Sequence, residues 1–143
     1  MDKPNSFALN TNEILNTKKS RQRMKKIAAH GWGVAAEELV AEHYRTESCG
    51  TILERRLKTP VGEIDLIVLT EESLVFIEVK ARKDLSEICN VITDTQWKRI
   101  EQAALWYLSQ KFESIDLNIR FDAAFVSPGK DILFFHNAWM SQC

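Results

Sequence analysis

The chain has 143 residues, of which 45% are hydrophobic and 27% charged, as is typical of a globular domain. No apolar run approaches the roughly 20 residues of a bilayer-spanning helix, and no signal-peptide core follows the N-terminus, so no membrane partner is expected. The three cysteines are far apart and form neither a CxxC pair nor a zinc pattern. Reduced thiols and a cytoplasmic location are therefore expected.

The net charge of −1 is unevenly distributed. Residues 1–30 carry seven Lys/Arg and two Asp/Glu, a net +5, whereas residues 31–143 carry twelve and eighteen, a net −6. We expect residues 1–30 to be a flexible polar and basic N-terminal tail and residues 31–143 to be the folded domain. The acidic domain argues against general polyanion binding, which depends on neutralising phosphates with lysine and arginine.

The first predicted element is a helix from about Val34 to Glu47, where apolar residues recur at spacings of three and four. Gly50 is well placed to end this unit. Three strands are then predicted at residues 51–58, 63–69 and 74–80, separated by short turns. Connections this short predict an antiparallel meander.

The second half of the chain begins with a loop at residues 82–92. Thr93-x-x-Gln96 has the form of a capping box, and the helix that it begins is expected to run to about Phe112. Two more strands are predicted at residues 118–127 and 132–136. The order α-β-β-β-α-β-β predicts an α/β fold.

Two of the predicted strands carry ionisable residues inside apolar runs: Asp65 on one, and Glu78 and Lys80 on the next. Burying an unpaired charge is costly, so these residues need a partner. Pairing of the two strands through their short turn would let Asp65 face Glu78. Two carboxylates held close together repel one another, and a bound Mg²⁺ or Mn²⁺ would remove that conflict.

Lys80 adds a positive charge beside this pair. A lysine next to a metal-bound water can orient the water or stabilise charge that develops on a phosphate, which indicates metal-assisted phosphodiester hydrolysis. The alternative is a ladder of salt bridges on a solvated sheet face, since opposite charges paired across strands are mildly favourable. Spacing alone does not decide between the two.

The segments Gly62-Glu63-Ile64-Asp65-Leu66-Ile67 and Val75-Phe76-Ile77-Glu78-Val79-Lys80-Ala81-Arg82 resemble the signature of the YraN-like bacterial proteins. This family is related to Holliday-junction resolvases within the PD-(D/E)xK nuclease superfamily. Glu38 on the first helix and Arg120-Phe121-Asp122 on a later strand resemble further family positions. The resemblance implies a restriction-endonuclease-like αβββαβ core with a mixed central sheet flanked by helices, so that residues 31–143 form a nuclease-like α/β domain.

The resemblance also implies roles for individual residues. Asp65, Glu78 and the backbone carbonyl of Val79 would bind Mg²⁺ or Mn²⁺, and Lys80 would be the catalytic lysine. Glu38 would reach the site from the first helix, where the sequence has Glu37 in place of the family's preceding glycine. Gln96 stands where the family usually has a lysine near the phosphate. The expected nucleic-acid contacts are Arg82, Lys83, Trp97 and Lys98.

The function expected from these residues is metal-dependent endonuclease activity on DNA, with branched DNA among the substrates that the resemblance suggests. The alternative is a non-catalytic nucleic-acid-binding or protein-interaction module on the same fold, favoured by the acidic domain and by Gln96. A homodimer is expected on the strength of the resemblance alone.

Overall fold

The computed structural model describes residues 18–86, 91–114 and 116–139, and in them a five-stranded mixed sheet lies between two helices. This arrangement confirms the predicted α/β fold with a restriction-endonuclease-like core. The elements in chain order are α1 (Lys18–Glu47), β1 (Thr51–Thr59), β2 (Gly62–Leu69), β3 (Ser73–Ala81), α2 (Asp94–Lys111), β4 (Asn118–Val126) and β5 (Ile132–Phe135).

The strands lie in the order β1-β2-β3-β4-β5. The first three form the predicted antiparallel meander because their turns are too short for any other connection. β4 runs parallel to β3, since α2 carries the chain back across the sheet between them, and β5 returns antiparallel to β4. The ends of β3 and β4 therefore lie beside the start of β2. We call this edge of the sheet the β3-carboxyl end.

α1 covers one face of the sheet with the apolar stripe that the sequence predicted. Ala36, Val40, Ala41 and Tyr44 are fully buried there. They pack on a cluster of strand residues that comprises Leu66, Val68, Val75, Ile77, Ala124 and Val126. Burial of this stripe holds α1 on the sheet, because apolar area removed from water contributes about 25 cal/mol per Å².

α1 begins at Lys18, well before the predicted start at Val34. Residues 18–30, expected to belong to a flexible tail, are helical, whereas residues 1–17 lie outside the described part of the chain. Apolar periodicity detects only the part of a helix that packs on a core. The earlier turns are rich in lysine, arginine and glutamine, which favour helix without any packing. Arg23, Lys25 and Lys26 are exposed along them.

α2 covers the opposite face and begins with the predicted capping box. The Thr93 hydroxyl accepts from the Gln96 backbone N–H at 3.2 Å, and the Gln96 side-chain oxygen accepts from the Thr93 N–H at 3.0 Å. Ala103, Ala104 and Tyr107 pack on Ile64, Ile67, Leu74 and Phe76. The first turns of the same helix bury Trp97 and Ile100 against Ala123 and Phe125.

Neither of the two described helices combines the length with the continuous apolar surface that a bilayer-spanning segment requires.

Candidate metal centre

The regular alternation of β2 is interrupted at Asp65. Leu66 and Val68 pack towards α1, whereas Ile64 and Ile67 both pack towards α2, although they are three residues apart. On the neighbouring strand, Arg56 has a left-handed backbone with φ 48°. The ladder pairs Arg55 with Leu66 and Leu57 with Ile64, so Arg56 lies opposite Asp65. Both strands are thus distorted at the same point.

The ladder between β2 and β3 also stops at Asp65. It runs from Leu69 and Leu74 to Leu66 and Ile77, and the next step would place Asp65 opposite Glu78. Instead, the Val79 backbone N–H donates to Asp65 Oδ2 at 2.8 Å. A side chain has taken the place of the backbone acceptor, and this hydrogen bond fixes the carboxylate at the point where the two strands separate.

Glu78 and Lys80 form an ion pair at this point, with Lys80 Nζ 3.0 Å from Glu78 Oε1. Their side chains are only 15% and 19% exposed. An ordinary ladder of salt bridges on a solvated face would be more open, and exposed pairs contribute little to stability. The structure therefore brings Asp65, Glu78, Val79 and Lys80 together in a partly buried group.

Burial and, after it, the charge of Glu78 raise the pKa of Asp65 to about 8. The Val79 N–H opposes this effect, while Glu37 adds to it. Without a cation, Asp65 therefore carries a proton at neutral pH. This is the behaviour expected of a carboxyl group whose ionised form needs a positive partner.

The donor set suits a hard divalent cation. Two carboxylates and a backbone carbonyl are oxygen ligands of the kind that Mg²⁺ binds while it keeps several waters. Among residues 18–86, 91–114 and 116–139, no three His, Cys, Asp or Glu side chains are grouped as a complete metal cage.

The structure distinguishes the two neighbouring glutamates of α1. Glu37 is 16% exposed and accepts from Arg56 Nε at 2.7 Å, on the side of α1 that faces Asp65. Glu38 is 54% exposed and pairs with Arg45 and Arg55. The helix acid beside Asp65 is therefore Glu37, and not the predicted Glu38. Residues one apart on a helix point about 100° apart, so a register error of one residue selects the wrong side chain.

Two residues of α2 that were predicted to lie near the substrate have structural roles. The Gln96 side-chain oxygen is engaged in the capping box with the Thr93 N–H. Trp97 is 6% exposed and stacks on Trp139, with ring centroids 6.0 Å apart. An indole buried in this way has no face free for a nucleic-acid base. The expectation that Trp97 contacts nucleic acid is corrected, because the apolar stripe of α2 needs an anchor at its first turn.

Exposed basic side chains lie at the β3-carboxyl end, together with the exposed acids Glu63, Asp84 and Asp94. Arg82 and Lys83 are exposed directly after β3, and Lys98 is exposed on the second turn of α2. That turn lies close to β2, since a Cβ at Gly62 would be 3.1 Å from the Arg99 carbonyl oxygen. The exposed basic residues at this end comprise Lys58, Arg82, Lys83, Lys98 and Arg99. The opposite end has a cleft of about 330 Å³ whose lining includes Glu47, Glu71 and Glu72.

A second buried polar cluster surrounds Asp122, which is fully buried on β4. Its carboxylate accepts from Tyr44 Oη at 2.7 Å and from Arg120 Nε at 2.8 Å. It also contacts His136 Nδ1 at 2.9 Å and accepts from the Asn137 N–H at 2.8 Å. Burial opposes ionisation, but these partners together hold its pKa below the usual value. The Arg-Phe-Asp segment therefore fastens α1 to β4 and takes no part in the site at Asp65.

Comparisons with known proteins agree with the resemblance seen in the sequence. A family model described as the uncharacterised protein family UPF0102 matches residues 36–126. A UPF0102 protein of Azorhizobium caulinodans is 42% identical over 101 residues, which cover 71% of this chain and 76% of the relative. One of Rhodopseudomonas palustris (strain BisB18) is 38% identical over 109 residues, which cover 73% and 76%.

The matched region, residues 36–126, contains α1 from Ala36 onwards, the meander with Asp65, Glu78 and Lys80, and β4 with Asp122. It therefore includes both polar clusters. The predicted resemblance to the YraN-like proteins is confirmed, and the chain belongs to the uncharacterised protein family UPF0102.

Proposed function

We propose that this protein is a metal-dependent endonuclease that hydrolyses DNA phosphodiesters. The observation that carries the proposal is the partly buried group of Asp65, Glu78 and Lys80 at the point where β2 and β3 separate. Salt bridges alone do not account for this group, because burial and the charge of Glu78 raise the pKa of Asp65 and so favour its neutral form unless a cation lies beside it. A buried carboxyl group whose pKa is raised by a second carboxylate is typical of functional sites, including those that bind a metal ion.

Mg²⁺ or Mn²⁺ would be held by Asp65, Glu78 and the Val79 carbonyl. When bound, such an ion polarises a phosphoryl oxygen and lowers the pKa of its water. Lys80 carries its ammonium group 3.0 Å from Glu78, which keeps it pointed at the same site. There it would stabilise the negative charge that develops on the phosphate in the transition state. Glu37 would orient the attacking water from the side of α1.

The distribution of charge supports a polyanionic substrate despite the net −6 of residues 31–143. Exposed basic residues follow β3 and line the start of α2, where they outnumber the exposed acids Glu63, Asp84 and Asp94. The cleft at the opposite end of the sheet is lined by Glu47, Glu71, Glu72 and Arg120. A nucleic acid would therefore approach the β3-carboxyl end and be repelled from the other. Electrostatic steering of this kind depends on local rather than net charge.

A non-catalytic nucleic-acid-binding or protein-interaction module is the second candidate. The observation in its favour is that Gln96, which stands where the family usually has a lysine, is occupied by the capping box of α2. In that case Asp65 and Glu78 would bind a cation for stability, with Lys80 paired to Glu78, and no DNA would be cut.

A nuclease assay with matched variants tests the proposal. Linear, single-stranded and four-way DNA are incubated with Mg²⁺ or Mn²⁺, and we expect cleavage by the wild type and a loss of about 100-fold or more in Asp65→Asn and Lys80→Gln. Glu37→Gln should lower the rate, whereas Glu38→Gln, its exposed neighbour, should leave it within about twofold. Intact DNA with the wild type on every substrate would exclude the endonuclease.

Calorimetry tests the metal site separately from activity. Because Asp65 is protonated below a pKa of about 8, binding of Mg²⁺ at pH 7 should release about one proton, and binding at pH 9 almost none. Titrations in two buffers of different ionisation enthalpy measure this number. Proton release that persists in Asp65→Asn, or no binding at either pH, would contradict the assignment of the ligands.

A further inference from the structure

We infer that Arg56 contacts the phosphate of the substrate at the site of Asp65. Glu37 and the left-handed backbone of Arg56 hold its side chain in place. This inference rests on the proposed function and adds a residue to it. Arg56 lies in the middle of β1, where a left-handed residue other than glycine, asparagine or aspartate is uncommon. Conformations of this kind persist where the surrounding structure holds them, and they are concentrated at functional sites.

The position of Arg56 follows from the strand register. β1 pairs Arg55 with Leu66 and Leu57 with Ile64, so Arg56 lies directly across from Asp65. A residue with ordinary strand geometry would send its side chain to the face opposite that of Arg55. With φ 48°, Arg56 turns its side chain towards α1 instead, where it meets Glu37.

The contact with Glu37 occupies only part of the guanidinium. Nε donates to Glu37 Oε2 at 2.7 Å, and one terminal nitrogen lies 3.5 Å from Oε1. Among the described residues, these are the hydrogen bonds that Arg56 forms through its side chain. A guanidinium has five N–H donors in a rigid fork, and the side chain is 41% exposed, so the outer edge remains open to solvent.

A planar fork with free donors beside a divalent-cation site matches a phosphodiester. Arginine binds phosphate through two parallel N–H···O hydrogen bonds, which lysine cannot do. Lys80 lies on β3, beyond Asp65, where it pairs with Glu78, so the two cations would contact the substrate from both sides of Asp65. Glu37 fixes the inner edge of the guanidinium and leaves the outer edge for the ligand.

The neighbouring pair offers a matched control. Arg55 pairs with Glu38 on the exposed side of α1 and does not face Asp65. Arg55→Asn and Arg56→Asn each remove one positive charge from the same strand. Asparagine tolerates the left-handed conformation, so Arg56→Asn should fold without added strain. Thermal unfolding of both variants verifies that they are folded.

Binding of fluorescent four-way and linear DNA is measured in Ca²⁺ over a range of salt. We expect Arg56→Asn to weaken binding about tenfold and to lower the salt slope by about one, and Arg56→Lys to recover only part of the affinity. Arg55→Asn should stay within about twofold of the wild type. Mg²⁺ affinity, measured by calorimetry, should be retained in both variants.

Equal effects of the two asparagine variants, or no effect of either, would overturn the role of Arg56 and leave the proposed function standing. Recovery of full affinity in Arg56→Lys would also overturn it, since a point charge would then be sufficient. Absence of DNA binding by the wild type would overturn the proposed function and this inference together.

Discussion

Two opposing effects act on the ionisation of the Asp65 carboxyl group. Its carboxylate accepts the Val79 N–H, which favours ionisation, yet burial and the charge of Glu78 raise its pKa to about 8. The second effect exceeds the first, so ionised Asp65 makes an unfavourable contribution to stability at alkaline pH when no cation lies beside it.

Asp65→Asn tests this at the level of stability. An acid with a raised pKa stabilises the fold below its unfolded pKa and loses that contribution as the pH rises to the folded pKa, here between 3.8 and about 8. The amide keeps an acceptor for Val79 and carries no charge. Without divalent ions we therefore expect the variant to be more stable than the wild type at pH 9, by about 1–3 kcal/mol.

Urea unfolding between pH 5 and pH 9 measures the effect, with Glu72→Gln as a control on an exposed acid at the opposite end of the sheet. The wild type should lose stability across this range more steeply than Asp65→Asn. Parallel curves for the two proteins would refute the raised pKa. Mg²⁺ should stabilise the wild type and not the variant, since ligands that bind only the native state raise its stability.

At the level of elements, the end of α1 is determined by two adjacent residues with different tasks. Gly50 was predicted to end the helix. The left-handed residue is in fact Cys49, with φ 49°. Gly50 is required for close packing, because a Cβ at this position would lie 2.6 Å from Val68 Cγ1 and 3.1 Å from the Tyr44 carbonyl oxygen.

Gly50→Ala should therefore destabilise the protein by about 1–3 kcal/mol, the usual cost of forcing a methyl group into a packed interior. Gly129→Ala is the matched control, since the nearest atoms to its added Cβ are 3.8 Å away. Denaturant midpoints of the two variants provide the comparison. A Gly50→Ala protein as stable as Gly129→Ala would mean that α1 can move away from β2 at little cost.

On the scale of the whole molecule, exposed basic residues lie both at the β3-carboxyl end, together with the acids Glu63, Asp84 and Asp94, and on the first turns of α1. Those turns include exposed Arg23, Lys25 and Lys26. A helix presents these charges in fixed positions, whereas a flexible tail would not, so they can contribute to phosphate binding with less loss of entropy.

Replacement of Arg23, Lys25 and Lys26 together by glutamine should lower the salt slope of DNA binding by up to about three, since each phosphate neutralised contributes close to one. Lys111→Gln, at the far end of α2, is the control and should change the slope little. Anisotropy titrations between about 50 and 300 mM salt measure this slope. An unchanged slope would place these residues away from the phosphates.

Periodicity and turn signals were sufficient to predict the order of the elements, the meander and the capping box of α2, because each depends on contacts close in sequence. The group of Asp65, Glu78 and Lys80 was also predictable, since a charge inside an apolar strand needs a nearby partner. The sequence did not predict the position of Glu37 beside Asp65, the burial of Trp97 or the length of α1. They depend on helix register, on packing between distant segments and on turns without an apolar face.

The amino-acid sequence by itself thus determined the α/β architecture, the family and the pair of strands that carries the candidate ligands. Tertiary structure decided which helix glutamate lies beside Asp65, which basic residue faces it, and which polar residues only fasten α1 to β4. The physical reason is that strand alternation and helix capping are local rules. The left-handed Arg56, the end of the β2–β3 ladder and the Asp122 cluster arise only when segments far apart in the chain compete for the same space.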